Sequence, residues 1–322
     1  LVFIPGGSGT NTAGFVGFNA GSAGVATVDG GTWDNTAVLL VGVGGVGRLS
    51  VQGGSVGSWA SFLGSDAGGV GQAIVSGGTF ASSYQLQVGG SGAGTLDVAG
   101  GFVSGSAAFL GVHAGGNGKA NVTSGTLDIG TEFHIGYQGT GVLDVAGGMV
   151  SGSAAFLGVD LGGNGTATVS SGTWDNTFVL VGVSGTGALN VSGGHVSGRL
   201  AYLGFYGTAT GTATVTAGSW DNVEQLYVGY LGRGALNVAG GRVTNLYSFL
   251  GDDIGTLGTA TVSSGTWLAE VLEVWTGGTG LLQVSDTGVV SVTGTVTGGC
   301  VGYDFHGQRR AAACRHRDPF RL

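Results

Sequence analysis

The segments Gly31-Thr32-Trp33, Gly78-Thr79-Phe80, Gly125-Thr126-Leu127, Gly172-Thr173-Trp174, Gly218-Ser219-Trp220 and Gly265-Thr266-Trp267 recur at intervals of 47, 47, 47, 46 and 47 residues. Self-similarity at a fixed period marks a chain whose repeats cannot bury their apolar faces alone and must stack on one another. Midway between these segments lie Gly54-Ser55-Val56, Gly101-Phe102-Val103, Gly148-Met149-Val150, Gly194-His195-Val196 and Gly241-Arg242-Val243, so each unit divides into two coils of about 23.5 residues. Composition agrees with an array. The chain has 74 glycines, 2 prolines and 9% charged residues, yet is 42% hydrophobic, which excludes collagen, flexible Gly/Ser linkers and disordered acidic chains.

Every coil carries an apolar-x-Val triplet, with valine at Val28, Val51, Val75, Val98, Val122, Val145, Val169, Val191, Val215, Val238, Val262 and Val284. Two residues before each valine the chain alternates small with large: Ala26, Leu49, Ala73, Leu96, Ala120, Leu143 and onward to Leu282. Residues i and i+2 of a strand share a face, so these pairs point inward, while Thr27, Ser50, Asp97, Asn121, Asp144 and their equivalents point outward. A second inward ladder alternates bulky residues with valine, as in Trp33, Val56, Phe80, Val103, Leu127, Val150 and Trp174. A third short strand ends in an apolar residue and glycine, as in Phe109-Leu110-Gly111 and Phe133-His134-Ile135-Gly136.

Three short strands per coil, with glycine at corners that need positive φ, predict an all-β fold, a right-handed parallel β-helix of about 12 coils over residues 1–299. At the usual inter-strand spacing the coils form a rod roughly 58 Å long. The calcium-binding nonapeptide solenoid is the other architecture weighed, because Gly115-Gly116-Asn117-Gly118 and Gly162-Gly163-Asn164-Gly165 copy part of its pattern. Ala120 and Ala167 stand where its calcium-binding aspartate belongs, and Ca²⁺ needs several oxygen ligands. No metal or cofactor is therefore expected.

The chain starts at Leu1 with no basic-then-apolar leader and no run of 18 apolar residues, so neither a signal nor an anchor is expected within it. Residues 300–322 break the pattern: Cys300, Cys314, Pro319 and five arginines crowd there. This tail reads as a basic segment for nucleic acid or an acidic lipid surface, or as a non-native end, and the latter is the expectation. The remaining body has 16 acidic and 5 basic residues and no cysteine, which argues against nucleic-acid binding and excludes a disulfide framework or thiolate metal site there.

Some β-helices cleave polysaccharides, which calls for paired carboxylates. Asp128, Asp175 and Asp221 hold equivalent places two coils apart, roughly 9.6 Å by strand spacing, just beyond the ~6.5–9.5 Å of an inverting pair. Asp34 has the same place, so the set reads as repeated Asx-type turn residues rather than an acid/base pair. Gly251-Asp252-Asp253 resembles one short motif of polygalacturonases without that family's accompanying histidine and Arg-x-Lys motifs. His113, His134 and His195 lack metal-like spacing and read as solvated surface histidines. His306 and His316 fall in the tail.

The most suggestive surface feature is the middle residue of the third strand: Phe15, Leu40, Phe62, Gln87, Phe109, His134, Phe156, Leu180, Tyr202, Tyr227, Phe249 and Glu273. Alternation points these outward. Phe62, Phe109, Phe156, Tyr202 and Phe249 would then form a ligand-binding stripe, an aromatic every second coil at roughly 9.6 Å, suited to stacking on sugars or against a protein. A bulge in that strand, or covering loops, would instead place the rings in the core. A flat threonine array of the ice-binding kind is interrupted by Asp97, Asp144, Asn190 and Asn237.

Coils such as Val88 to Val103 and Leu157 to Trp174 resemble, across residues 7 to 299, the repeats of bacterial autotransporter passengers, the type V secretion and PEP-CTERM-associated repeat. The resemblance implies a structural or adhesive rod on the bacterial cell surface. Membrane attachment would come only through a carboxy-terminal barrel or sorting segment outside this chain. It further implies a monomeric rod whose partners are host or environmental glycans or surface proteins, without enzymatic activity; the alternative is a carbohydrate-active β-helix enzyme.

Overall fold

The computed structural model describes residues 2–274, 277–298 and 302–303. Its regular structure is entirely β among the described residues, from Val2–Ile4 through to Gly302–Tyr303, with no helix. Every strand pairs in parallel with its equivalent one coil away. The result is a β-solenoid of about 12 turns and ~24 residues per turn. From Ala93–Leu110 onward a single strand of 18 or 19 residues follows all three faces of most coils, the inter-coil pairing resuming after each corner with a shift or gap in register. Of the tail 300–322, only Gly302–Tyr303 is described, paired with Gln283 and Val284; the rest lies outside the described residues.

All twelve coil valines are buried, none above 3% exposure, and so is the alternating Ala/Leu row from Ala26 to Leu282. The register places them directly over one another, Ala73 on Leu96 and Val75 on Val98, for example. Trp174 sits between Val150 and Val196, and Trp220 between Val196 and Val243. A third alternation runs up the remaining wall, where Leu39, Ser61, Leu86, Ala108, Phe133, Ala155, Val179, Ala201, Leu226, Ser248 and Leu272 stack in register. One kind of coil thus carries Ala, a bulky residue and mostly Leu or Phe. The next carries Leu, Val and Ala or Ser. The cross-section stays filled because volume moves between walls from coil to coil, as close packing demands.

Glycine at the end of the third strand is required twice over. Gly89 has φ 72°, and a Cβ there would lie 2.1 Å from the carbonyl oxygen of Asn117 in the next coil. Gly118 pinches the cross-section from the other side, where a Cβ would meet the backbone nitrogen of Gly111 at 2.4 Å. The corners stack as the strands do: Gly111 N donates to Val88 O at 3.0 Å and Gly136 N to Leu110 O at 2.8 Å.

The unequal coil lengths have a local origin. Small-walled coils have a longer corner after the third strand, for example Val112-His113-Ala114-Gly115 against Gly90-Ser91, and these turns project every second coil. Large-walled coils gain a residue at the corner between the second and third strands, seen as register shifts at Asn35/Val38, Ser82/Gln85 and Ile129/Glu132. The segment Asn176-Thr177-Phe178 lacks that residue and stays in register with Gly152-Ser153-Ala154, which accounts for the 46-residue interval.

Three variants test this account. Trp220→Ala empties the wall that Val196 and Val243 cannot fill and should cost about 3–5 kcal/mol, read as a lower urea midpoint. Deleting Thr131 at the tolerant corner loses chiefly its bond to Ser106 O and should cost about 1 kcal/mol. Deleting Asn121, inside a strand, turns the following side chains to the wrong face and should abolish the cooperative melt by circular dichroism.

Candidate functional site

The outward row of the third strand is where the sequence places it, and Phe62, Phe109, Phe156, Tyr202 and Phe249 all fall on one register line. Each is half-buried, whereas the end-coil Phe15 is 53% exposed. Aromatics are not confined to every second coil. His134 stacks between Phe109 (4.8 Å, 3°) and Phe156 (4.9 Å, 13°), and Tyr227 between Tyr202 (4.8 Å, 2°) and Phe249 (4.7 Å, 15°). The two triplets are separated by one coil, that of Leu180. Phe62 has Leu40 and Gln87 as its neighbours in the row, and Phe249 is followed by Glu273. From Phe109 to Phe249 the row covers roughly 29 Å at strand spacing.

A second file of rings, which the sequence reading did not single out, follows the corner glycines. Tyr137 meets His134 edge-on at 5.5 Å. Tyr230 meets Tyr202 and Tyr227 at 5.2 Å each, and Phe205 meets Tyr202 at 5.1 Å. These contacts explain why an outward row is only half accessible: rings on the adjoining corner cover its edge. The signal was present, since Tyr137, Phe205 and Tyr230 each come directly after the glycine that ends a third strand. Burial and neighbouring Tyr202 and Asp252 push the Tyr227 phenol up to about 12, and burial likewise raises Tyr202, so both remain neutral donors near neutrality.

His134 is a correction. Expected as a solvated surface histidine, it is 8% exposed, because the flat imidazole fills the place that a phenyl ring takes in the coils on either side. Its Nε2 faces Glu132 Oε2 at 3.1 Å, and its Nδ1 is buried without a hydrogen-bond partner. Desolvation lowers its pKa, opposed by the Glu132 hydrogen bond and by the charges of Glu132 and Asp160. His113 is exposed, and His195 Nδ1 faces Ser219 Oγ at 2.7 Å.

The corner aspartates are also corrected. Asp34, Asp128, Asp175 and Asp221 lie within strands rather than turns. Three of them accept a hydroxyl from the following coil: Asp128 from Ser151 (2.8 Å), Asp175 from Ser197 (2.7 Å) and Asp221 from Thr244. They serve as inter-coil acceptors, not Asx caps. Beneath them, Trp33 Nε1 donates to Asn11 and Trp267 Nε1 to Asn245, the inward residues one coil earlier. At Trp174 and Trp220 that place is held by Gly152 and Gly198, and both indole N–H groups lack a partner, as does Asn176 Nδ2. Depressions of about 390, 330 and 380 Å³ open along this corner.

One exposed feature there went unnoticed in the sequence. Trp59 and Tyr84, from successive coils, stack at 4.5 Å and 6° with about half of each ring in solvent. They sit where corner length varies, so alignment of the repeats does not superpose them. Among the described residues no three His, Cys, Asp or Glu side chains gather as a metal site would need. No known protein family, curated protein or solved structure matches the chain.

The His134 environment has a measurable consequence. With its folded pKa lowered below 6.5, the folded rod binds fewer protons than the unfolded chain once pH falls through 6.5. Stability should therefore decline across that window and level off below the lowered pKa. His134→Phe should remove this component and gain about 1 kcal/mol by deleting the unpaired nitrogen, as read from thermal unfolding at a series of pH values.

Proposed function

We propose that the chain is the rod of an exported bacterial surface protein of the autotransporter-passenger kind, and that it holds ligands without cleaving them. The observation that supports this is the outward aromatic row, with His134 and Tyr227 joining the rings of alternate coils into stacks beside a second file of rings. The half-buried rings of these stacks turn their edges and tips to solvent, an apolar strip for sugars or for side chains of a partner protein. Glycans or surface proteins of a host or of the environment are the corresponding partners. The rod presents the row as a line, so extended ligands gain from several weak contacts at once.

A polysaccharide-cleaving activity is the competing reading. It would draw on the corner aspartates, but Asp128, Asp175 and Asp221 are engaged by hydroxyls of the next coil, an arrangement that serves stacking. On the proposed reading the chain acts at the cell surface as a monomer, and its gene encodes a secretion signal and an outer-membrane segment.

A glycan array combined with a reducing-sugar assay separates the two. Binding without release of sugar ends is expected. Release of ends would overturn the proposal. Phe109→Ser with Phe156→Ser should weaken binding at least tenfold while the β signal in circular dichroism persists, because both rings are on the outer face.

A further inference from the structure

The exposed Trp59–Tyr84 pair lies on the corner between the second and third strands, apart from the aromatic row, and needs its own explanation. Trp59 is 51% and Tyr84 50% exposed, large apolar areas to leave in water. Trp59 forms one wall of the depression of about 390 Å³, together with Asp34, Thr36 and Ser83. Ser83 donates to Ser58 O at 3.2 Å, which leaves its lone pairs able to accept.

Asp34 distinguishes this depression from the others on the same corner. The equivalent carboxylates of Asp128, Asp175 and Asp221 each accept a hydroxyl from the next coil. Opposite Asp34 the register places Gly57, which has no side chain to offer. The carboxylate lies over that glycine, with Oδ1 2.9 Å from where a Cβ would stand. An acceptor pair is therefore open beside a flat aromatic face.

We propose that this corner binds one pyranose ring of a neutral glycoside. The apolar C–H face of the sugar covers Trp59, two neighbouring hydroxyls donate to the two oxygens of Asp34, and Thr36 and Ser83 take further hydroxyls. A negative sugar would be repelled by Asp34. A quaternary ammonium would be better served by a cage of several rings than by one stacked pair. The inference does not rest on the aromatic row or on the exported-rod reading.

The test uses intrinsic fluorescence of the whole chain, because Trp33, Trp174, Trp220 and Trp267 are buried and Trp59 is the exposed tryptophan among the described residues. Methyl glycosides of glucose, galactose, mannose and N-acetylglucosamine are titrated in turn. A saturable change at millimolar concentration is expected with at least one, absent in Trp59→Ala and weakened about tenfold in Asp34→Asn, the loss of one charge-assisted contact. Gly57→Ser is the sharper variant: its hydroxyl should occupy Asp34 as Ser151 occupies Asp128, and weaken binding with the fold intact. No saturable change with any glycoside would overturn the proposal. So would equal binding by Asp34→Asn and Gly57→Ser, or a response to tetramethylammonium alone. The aromatic row is read by a different assay and different variants, so either result can fail without the other.

Discussion

Parallel, in-register bonding between successive coils governs everything else in this molecule. It sets each residue ~4.8 Å above its equivalent, so bulk repeated on one inward wall has to be matched by small residues repeated on another. Valine does repeat unchanged in its row, whereas the other walls alternate. Ala26 and Trp33 in one coil give way to Leu49 and Val56 in the next, and Leu39 gives way to Ser61, so that bulk circulates around the three walls along the rod.

The same proximity disciplines the outside. A charge repeated in every coil would face its own kind, which fits a chain with 9% charged residues. Several carboxylates are flanked by donors: Asp97 accepts from Gln72 and from Asn121, and Lys119 pairs with Asp144. Aromatic rings tolerate repetition better, since parallel faces at strand spacing attract. The outward row and the Trp59–Tyr84 pair are thus products of the register as much as of any ligand.

The period, the coil count, the valine row and two of the three alternating ladders were legible in the sequence because the first strand and the corner after it have constant length. The third ladder was not, because one corner gains or loses a residue between coils and blurs the alignment of Leu39 with Ser61 and Leu86. Orientation of the aromatic row followed from alternation. Its accessibility did not, because Tyr137, Phe205 and Tyr230 reach it from another corner. His134 misled for a related reason: its type suggests solvent, but its place between Phe109 and Phe156 is decided by stacking across coils. Asp128, Asp175 and Asp221 look like turn residues when only their own coil is considered, and their partners are 22 or 23 residues further on.

The alternation of wall sizes has an implication for how such a rod changes length. A single coil inserted or lost would bring Leu onto Leu and Ala onto Ala at the joint, a seam of clash and void together. Two coils, 47 residues in most of this chain, restore the sequence of layers unchanged. Duplication and deletion in the gene are accordingly quantised, and the smallest heritable step in the reach of the rod is one coil pair, roughly 9.6 Å.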